Sequence, residues 1–218
     1  MSDESLFREV DEEVRQDQYK KVWDKYGNAL LALAFAIVAG VGGFKGWTYY
    51  QLKQAEGAAT AYVDAVKKAE DGKFDDAEAA LAAITHGGFA QLAELRKAGD
   101  LARQGKTAEA VQAYDAFAAA KGSDPALADM ARIRAGYLLA DTQKPDELLA
   151  RLGQYDKDGQ VWRHAAREIF GLSAWRNADY AMADRYMTAL YNDQTTPGSM
   201  RMRAQMMMQL LTPLLPQK

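Results

Sequence analysis

Cysteine is absent from the 218 residues, which removes disulfide staples, thiol nucleophiles and cysteine-ligated metals together. Histidine occurs only as His86 and His164, so imidazole-based metal or acid–base chemistry has little to draw on. His164 and Glu168 have i, i+4 spacing. With no second ligand pair nearby, they read as an ion pair or as solvent-facing side chains rather than as metal ligands. Ser173 has no adjacent base and orienter in the sequence, and so no activated nucleophile is expected. All five prolines lie beyond residue 124, and no stretch alternates valine or isoleucine with polar residues as a half-buried strand would. A net charge of −3 gives no basic footprint for nucleic acid. Together these absences argue against an enzyme, and no catalytic, cofactor or metal residues are expected.

Charge is also scarce in one place where its absence is informative. Residues 28–50, NALLALAFAIVAGVGGFKGWTYY, carry a single charge, Lys45, between two charged flanks. As a helix at about 1.5 Å per residue the stretch reaches roughly 34 Å, enough for a hydrocarbon core of about 30 Å. Lys45 stands near one end, where its stem carries the ammonium to the headgroups, and Trp47, Tyr49 and Tyr50 follow at interfacial depth. A core helix of a soluble protein would have to be surrounded on every side. A cleaved signal peptide would have a shorter apolar run and a small-residue cleavage site, and neither is present. The cluster Gly40–Gly46 lacks the G-K-[ST] ending of a phosphate loop, since Trp47 follows Gly46. Ala32, Ala36 and Gly40 are spaced by four, as are Gly42 and Gly46. That spacing suits close packing of a second membrane helix.

Arg8, Arg15, Lys20, Lys21 and Lys25 precede the span, whereas Lys53, Lys67 and Lys68 follow within twenty residues. The bias places the N-terminus in the cytoplasm and the C-terminal part outside, which in a bacterium is the periplasm. The expected divisions are a cytoplasmic arm at 1–27, a transmembrane helix at 28–50 and a periplasmic domain at 51–218. In the arm, Leu6, Phe7, Val10 and Val14 suit one helix stripe.

From residue 55 onward the chain is rich in Ala, Leu, Glu, Gln, Arg and Lys, all good helix formers. Breaks at Gly72, His86–Gly88, Gly105, Gly122–Pro125, Thr142–Pro145, Asp156–Gly159, Asn177–Asp179 and Thr195–Gly198 leave helix-sized intervals. The fold class is therefore all-α. The breaks also recur. Gly72-Lys73-Phe74-Asp75-Asp76-Ala77 returns as Gly105-Lys106-Thr107-Ala108-Glu109-Ala110. A weaker copy starts at Gln143 and a fourth at Ala178, with spacings of 33, 38 and 35 residues. Seven residues before each start stands a small residue: Ala65, Ala98, Gly136 or Gly171. Four after Ala77, Ala110, Leu148 and Ala183 stands a larger one: Leu81, Tyr114, Leu152 or Met187. The pattern resembles the tetratricopeptide repeat, in which a small residue on one helix admits the large residue of the next. Such hairpins stack into an α-solenoid with a concave side, and the helix from about Gly198 to Leu211 would cap it. Asp75 and Asp76 would complement the dipole at a helix start.

Seven methionines crowd the C-terminal region, including Met206, Met207 and Met208. Flexible thioethers serve either as packing or as an adaptable client surface, and three in a row cannot all face one way on a helix.

The charged arm ending Lys20-Lys21-Val22-Trp23-Asp24-Lys25-Tyr26-Gly27-Asn28, the single span, Trp47–Tyr50 and the repeats from Gly72 and Gly105 together resemble the YfgM-type family of proteobacterial membrane proteins. The likeness covers essentially the full chain, while the methionine-rich end is less typical. The resemblance implies an ancillary subunit of the SecYEG translocon with a periplasmic tetratricopeptide-like domain. Its implied partners are the translocon, periplasmic chaperones and newly exported polypeptide clients. A scaffold for another cell-envelope complex, in division or outer-membrane assembly, would use the same architecture.

Overall fold

The computed structural model describes residues 3–216, with side chains for Lys20 and from Trp23 onward. The expected stripe Leu6, Phe7, Val10 and Val14 lies outside those described side chains. Every described element is helical: α1 (Asp3–Glu70), α2 (Phe74–Ala82), α3 (Gly87–Arg103), α4 (Thr107–Ala119), α5 (Pro125–Leu139), α6 (Pro145–Leu152), α7 (Arg163–Arg176), α8 (Tyr180–Asn192) and α9 (Gly198–Leu211). Short 3-10 turns follow α6 and α9. The chain divides into two compact units, residues 1–56 and 57–218.

In the first unit, the apolar part of α1 presents its side chains outward all round. Phe35 is 75% exposed, Val38 70% and Phe44 69%, so a core helix enclosed by its own protein is not what this segment forms. The region from Trp23 onward is long and apolar enough to cross a membrane. Trp23 and Tyr26 stand at one end of the apolar stretch and Trp47, Tyr49 and Tyr50 at the other. Twenty-four residues separate Trp23 from Trp47, or about 36 Å of helix. The aromatic groups thus bracket a hydrocarbon thickness.

The second unit is an α-solenoid of four hairpins, formed by the end of α1 with α2, α3 with α4, α5 with α6, and α7 with α8, closed by α9. Its core is a chain of local clusters rather than one centre. Ala65 with Leu81 and Ala93 forms the first, and Ala98 with Tyr114, Phe117 and Ala131 the second. Ile133 with Leu152, Ile169 and Phe170 forms the third, and Ala174 with Met187, Leu190 and Leu211 the fourth. Each cluster joins one hairpin to the next, as expected when a repeat cannot bury its apolar face alone.

The turns explain the sequence repeat. Gly72 and Gly105 take positive φ, 80° and 77°. At the first turn Lys73 N–H donates to the Lys68 carbonyl at 2.9 Å and Gly72 N–H to Ala69 at 3.2 Å. The second turn repeats the pair, from Lys106 to Leu101 and from Gly105 to Ala102, each at 3.0 Å. These are the two bonds of a Schellman stop, and they satisfy the last helix carbonyls. The fourth hairpin makes the same bonds, Asp179 to Ala174 at 2.9 Å and Ala178 to Trp175 at 3.1 Å. Here an alanine occupies the left-handed position, with φ 58°. The third turn differs: Gln143 N–H bonds the Leu139 carbonyl at 2.8 Å, and Pro145 opens α6 at a position that needs no N–H donor.

Candidate interaction surface

Each hairpin is closed by the small and large residues that recur in the sequence. A Cβ placed on Gly136 would stand 2.4 Å from Cδ1 of Leu152, and one on Gly171 would stand 2.6 Å from Cε of Met187. Ala65 and Ala98 fill the same positions earlier in the chain and are buried beside Leu81 and Tyr114. Ala77, Ala110 and Ala183, on the second helices, are fully buried. Small residues therefore lie wherever two helices of a hairpin approach most closely.

Polar side chains tie successive hairpins together. Glu168 on α7 is only 3% exposed, and its carboxylate accepts the Tyr137 hydroxyl of α5 at 2.6 Å. It also accepts both arms of Arg203 on α9, at 2.6 and 2.9 Å. Burial, and then the adjacent Glu168 carboxylate, push the Tyr137 phenol above its ordinary range. The hydrogen bond to Glu168 likewise raises Arg203. This buried charge is paired and hydrogen-bonded, the condition under which an interior carboxylate is tolerated.

A second node forms at Asp193, between α8 and α9. Its carboxylate accepts the Thr195 N–H at 2.9 Å, Arg163 Nη2 at 3.1 Å and meets His164 Nε2 at 3.1 Å. The Thr195 hydroxyl and N–H, then His164 and Arg163, hold the Asp193 carboxyl well below the usual carboxylate range. His164 and Glu168, expected to pair with each other or face solvent, do neither. His164 turns to Asp193, 29 positions away in sequence, and Glu168 turns to Tyr137 and Arg203. Among the described residues no group of three His, Asp or Glu side chains converges as metal ligands would.

Ser173 is fully buried, and its hydroxyl donates to the Gln143 carbonyl at 2.8 Å. It thereby pins the third turn to α7. Asp75 and Asp76 lie in the first turn of α2, where their charge complements the helix dipole.

On α1, Ala32, Ala36, Gly40, Gly42 and Gly46 all face outward, and a Cβ on any of these three glycines would meet nothing within 4 Å. Lys45 is exposed beside them. The Trp47 and Tyr50 rings lie 6.2 Å apart, and Lys53 Nζ stands 6.0 Å from the Tyr49 ring. The methionine triplet is split. Met207 and Met208 pack against the Ala204–Leu211 cluster, while Met206 is 51% exposed. As three successive helix positions require, the three do not share one face, and Met206 is the exposed one. Sequence reasoning also missed Met202 and Leu210, which are exposed one turn to either side. Their four-residue spacing was the available signal.

These elements build a ladder of stacked helical hairpins. No curated protein and no solved structure matches the chain significantly. From residue 20 to residue 203, most of its length, the chain matches the tetratricopeptide repeat-like domain family, and it belongs to that family.

Proposed function

We propose that this protein is a membrane-anchored, non-catalytic interaction subunit that works at the Sec translocon and assists the handling of newly exported proteins. Tetratricopeptide repeat-like domains are in general non-catalytic interaction scaffolds. The observation that carries the reading is the joining, in one chain, of four in-register hairpins to an outward-facing apolar helix bracketed by aromatic residues. On this reading residues 1–27 are a cytoplasmic arm, 28–50 cross the inner membrane and 51–218 stand in the periplasm. Tethering keeps the repeats close to the channel exit, where a high effective concentration lets modest affinities suffice. The SecYEG assignment, with periplasmic chaperones and exported chains as partners, rests on the resemblance to the YfgM-type family.

Photo-crosslinking from Gly42 and Trp47 in intact membranes tests the assignment. Adducts with translocon subunits are expected. Adducts confined to division or outer-membrane assembly proteins would replace the channel with another envelope complex.

A further inference from the structure

Helix α9 repeats the first helix of each hairpin, and among the described residues it is followed only by a short 3-10 turn, Thr212–Leu214. A shift of 35 residues carries Arg163–Arg176 of α7 onto Gly198–Leu211 of α9, end for end. The same shift separates Gly136 from Gly171. In this register the series Ala65, Ala98, Gly136 and Gly171 continues to Met206. The first four are covered by the second helix of their hairpin, whereas Met206 stands open. Met202 and Leu210, one turn before and after it, are 63% and 55% exposed. The opposite side of α9, with Ala204, Met207, Met208 and Leu211, is packed on the preceding hairpin. The following segment leaves the stripe uncovered: Leu215 packs on the inward cluster and Leu214 stays exposed. Along this one row α9 exposes methionine and leucine, between the exposed polar residues Ser199, Gln205 and Gln209.

We infer that the open face of α9 is a docking site for an amphipathic helix of a partner protein, seated where the second helix of a fifth hairpin would lie. The four completed hairpins are the precedent for what covers this position. Charge and size define the occupant further. No Asp or Glu occurs between Gly198 and Leu211. Arg203 is bound to Glu168, and Arg201 to the carbonyls of Asp193, Gln194 and Thr196. The stripe is thus uncharged, and a charged residue set against it would lose water without gaining a partner. With Met206 in place of glycine, the incoming helix must supply the small residue, alanine or glycine, at the crossing. The unbranched thioethers allow several such helices to fit. A second copy of this chain fits less well. It would set Met206 against Met206, with no small residue at the crossing.

The inference goes beyond the translocon assignment and holds whichever membrane complex the chain joins. Its test uses the full chain in lipid nanodiscs and a stapled, fluorescein-labelled peptide of residues 179–193 carrying Met187→Ala, followed by fluorescence anisotropy. Saturable binding is expected, weakened about tenfold or more by Met206→Glu, which buries a charge at the crossing. Gln205→Glu, exposed on a neighbouring face, should leave binding unchanged. Met206→Ala should invert the preference, so that the peptide retaining Met187 binds better than its alanine version. Absence of saturable binding, an equal effect of Gln205→Glu, or no inversion would overturn the proposal. So would self-association of the chain that Met206→Glu abolishes, because a second copy would then hold the face. Crosslinking to the translocon reads out separately, so failure of either idea leaves the other standing.

Discussion

Substituting Gly136 by alanine probes the close contact on which the hairpins depend. The new methyl would stand 2.4 Å from Leu152 Cδ1 and 3.1 Å from Ile169 Cδ1, against an optimum of about 3.5–4.0 Å for carbon pairs. Leu152 and Ile169 are fully buried among Ile133, Leu148 and Phe170, so neither has free space into which to retreat. Overpacking of this kind costs about 1–3 kcal/mol. Alanine regains about 1 kcal/mol of helix propensity over glycine, leaving a net loss of about 1 kcal/mol. In a Leu152→Ala background, itself about 2–5 kcal/mol less stable, the 2.4 Å contact is gone, and the space Leu152 vacates lets Ile169 Cδ1 yield from 3.1 Å, so the propensity gain prevails. There Gly136→Ala should stabilise by about 1 kcal/mol, a reversal of sign and a coupling of about 2 kcal/mol, within the range for contacting residues. Guanidinium unfolding of the four proteins in micelles measures the cycle. Far-ultraviolet circular dichroism and tryptophan fluorescence are followed together, because coincident transitions license the two-state comparison. If Gly136→Ala stabilised both backgrounds equally, the close approach of α5 and α6 would be refuted.

Three further outcomes are expected. Ala178→Gly should stabilise by about 0.5–1 kcal/mol, since it relieves a left-handed alanine at about 1–2 kcal/mol but loosens the unfolded chain. Calorimetry should show a rise of a few degrees in Tm, and a fall would refute the equivalence with Gly72 and Gly105. Asp193 is held below the usual carboxylate range, so its stabilisation is present above about pH 4 and lost as pH falls toward its folded value. Urea midpoints across that range should show an acid-side decline that Asp193→Asn flattens; identical profiles would contradict the bonding at that node. Replacing Gly42 and Gly46 together by leucine should weaken association with a membrane partner by blocking close helix approach. Unchanged co-purification of that partner from mild detergent would discard the packing role.

The hairpins were legible in the sequence because their turns repeat a chemical requirement. A left-handed stop needs Gly72 and Gly105, and the close crossings need small residues at fixed offsets from them. The fourth copy was legible despite Ala178, since its neighbours kept the spacing. The third was faint because Pro145 starts its second helix and no left-handed residue precedes it. The polar nodes were not legible. Spacing put His164 and Glu168 on one helix face, but each found a partner 29 to 35 positions away, which only the stacking of hairpins brings near. Similarly, a run of three methionines did not disclose which side of α9 faced α8. The 35-residue register fixes it once the limits of α7 and α9 are known.

The central claim is that lipid covers the apolar stretch of α1 while the repeats stand in water. Alkaline carbonate extraction of membranes carrying the full chain, followed by sedimentation, tests it most directly. The account predicts that the protein stays in the pellet with the bilayer and is released only by detergent; quantitative recovery in the carbonate supernatant would contradict it.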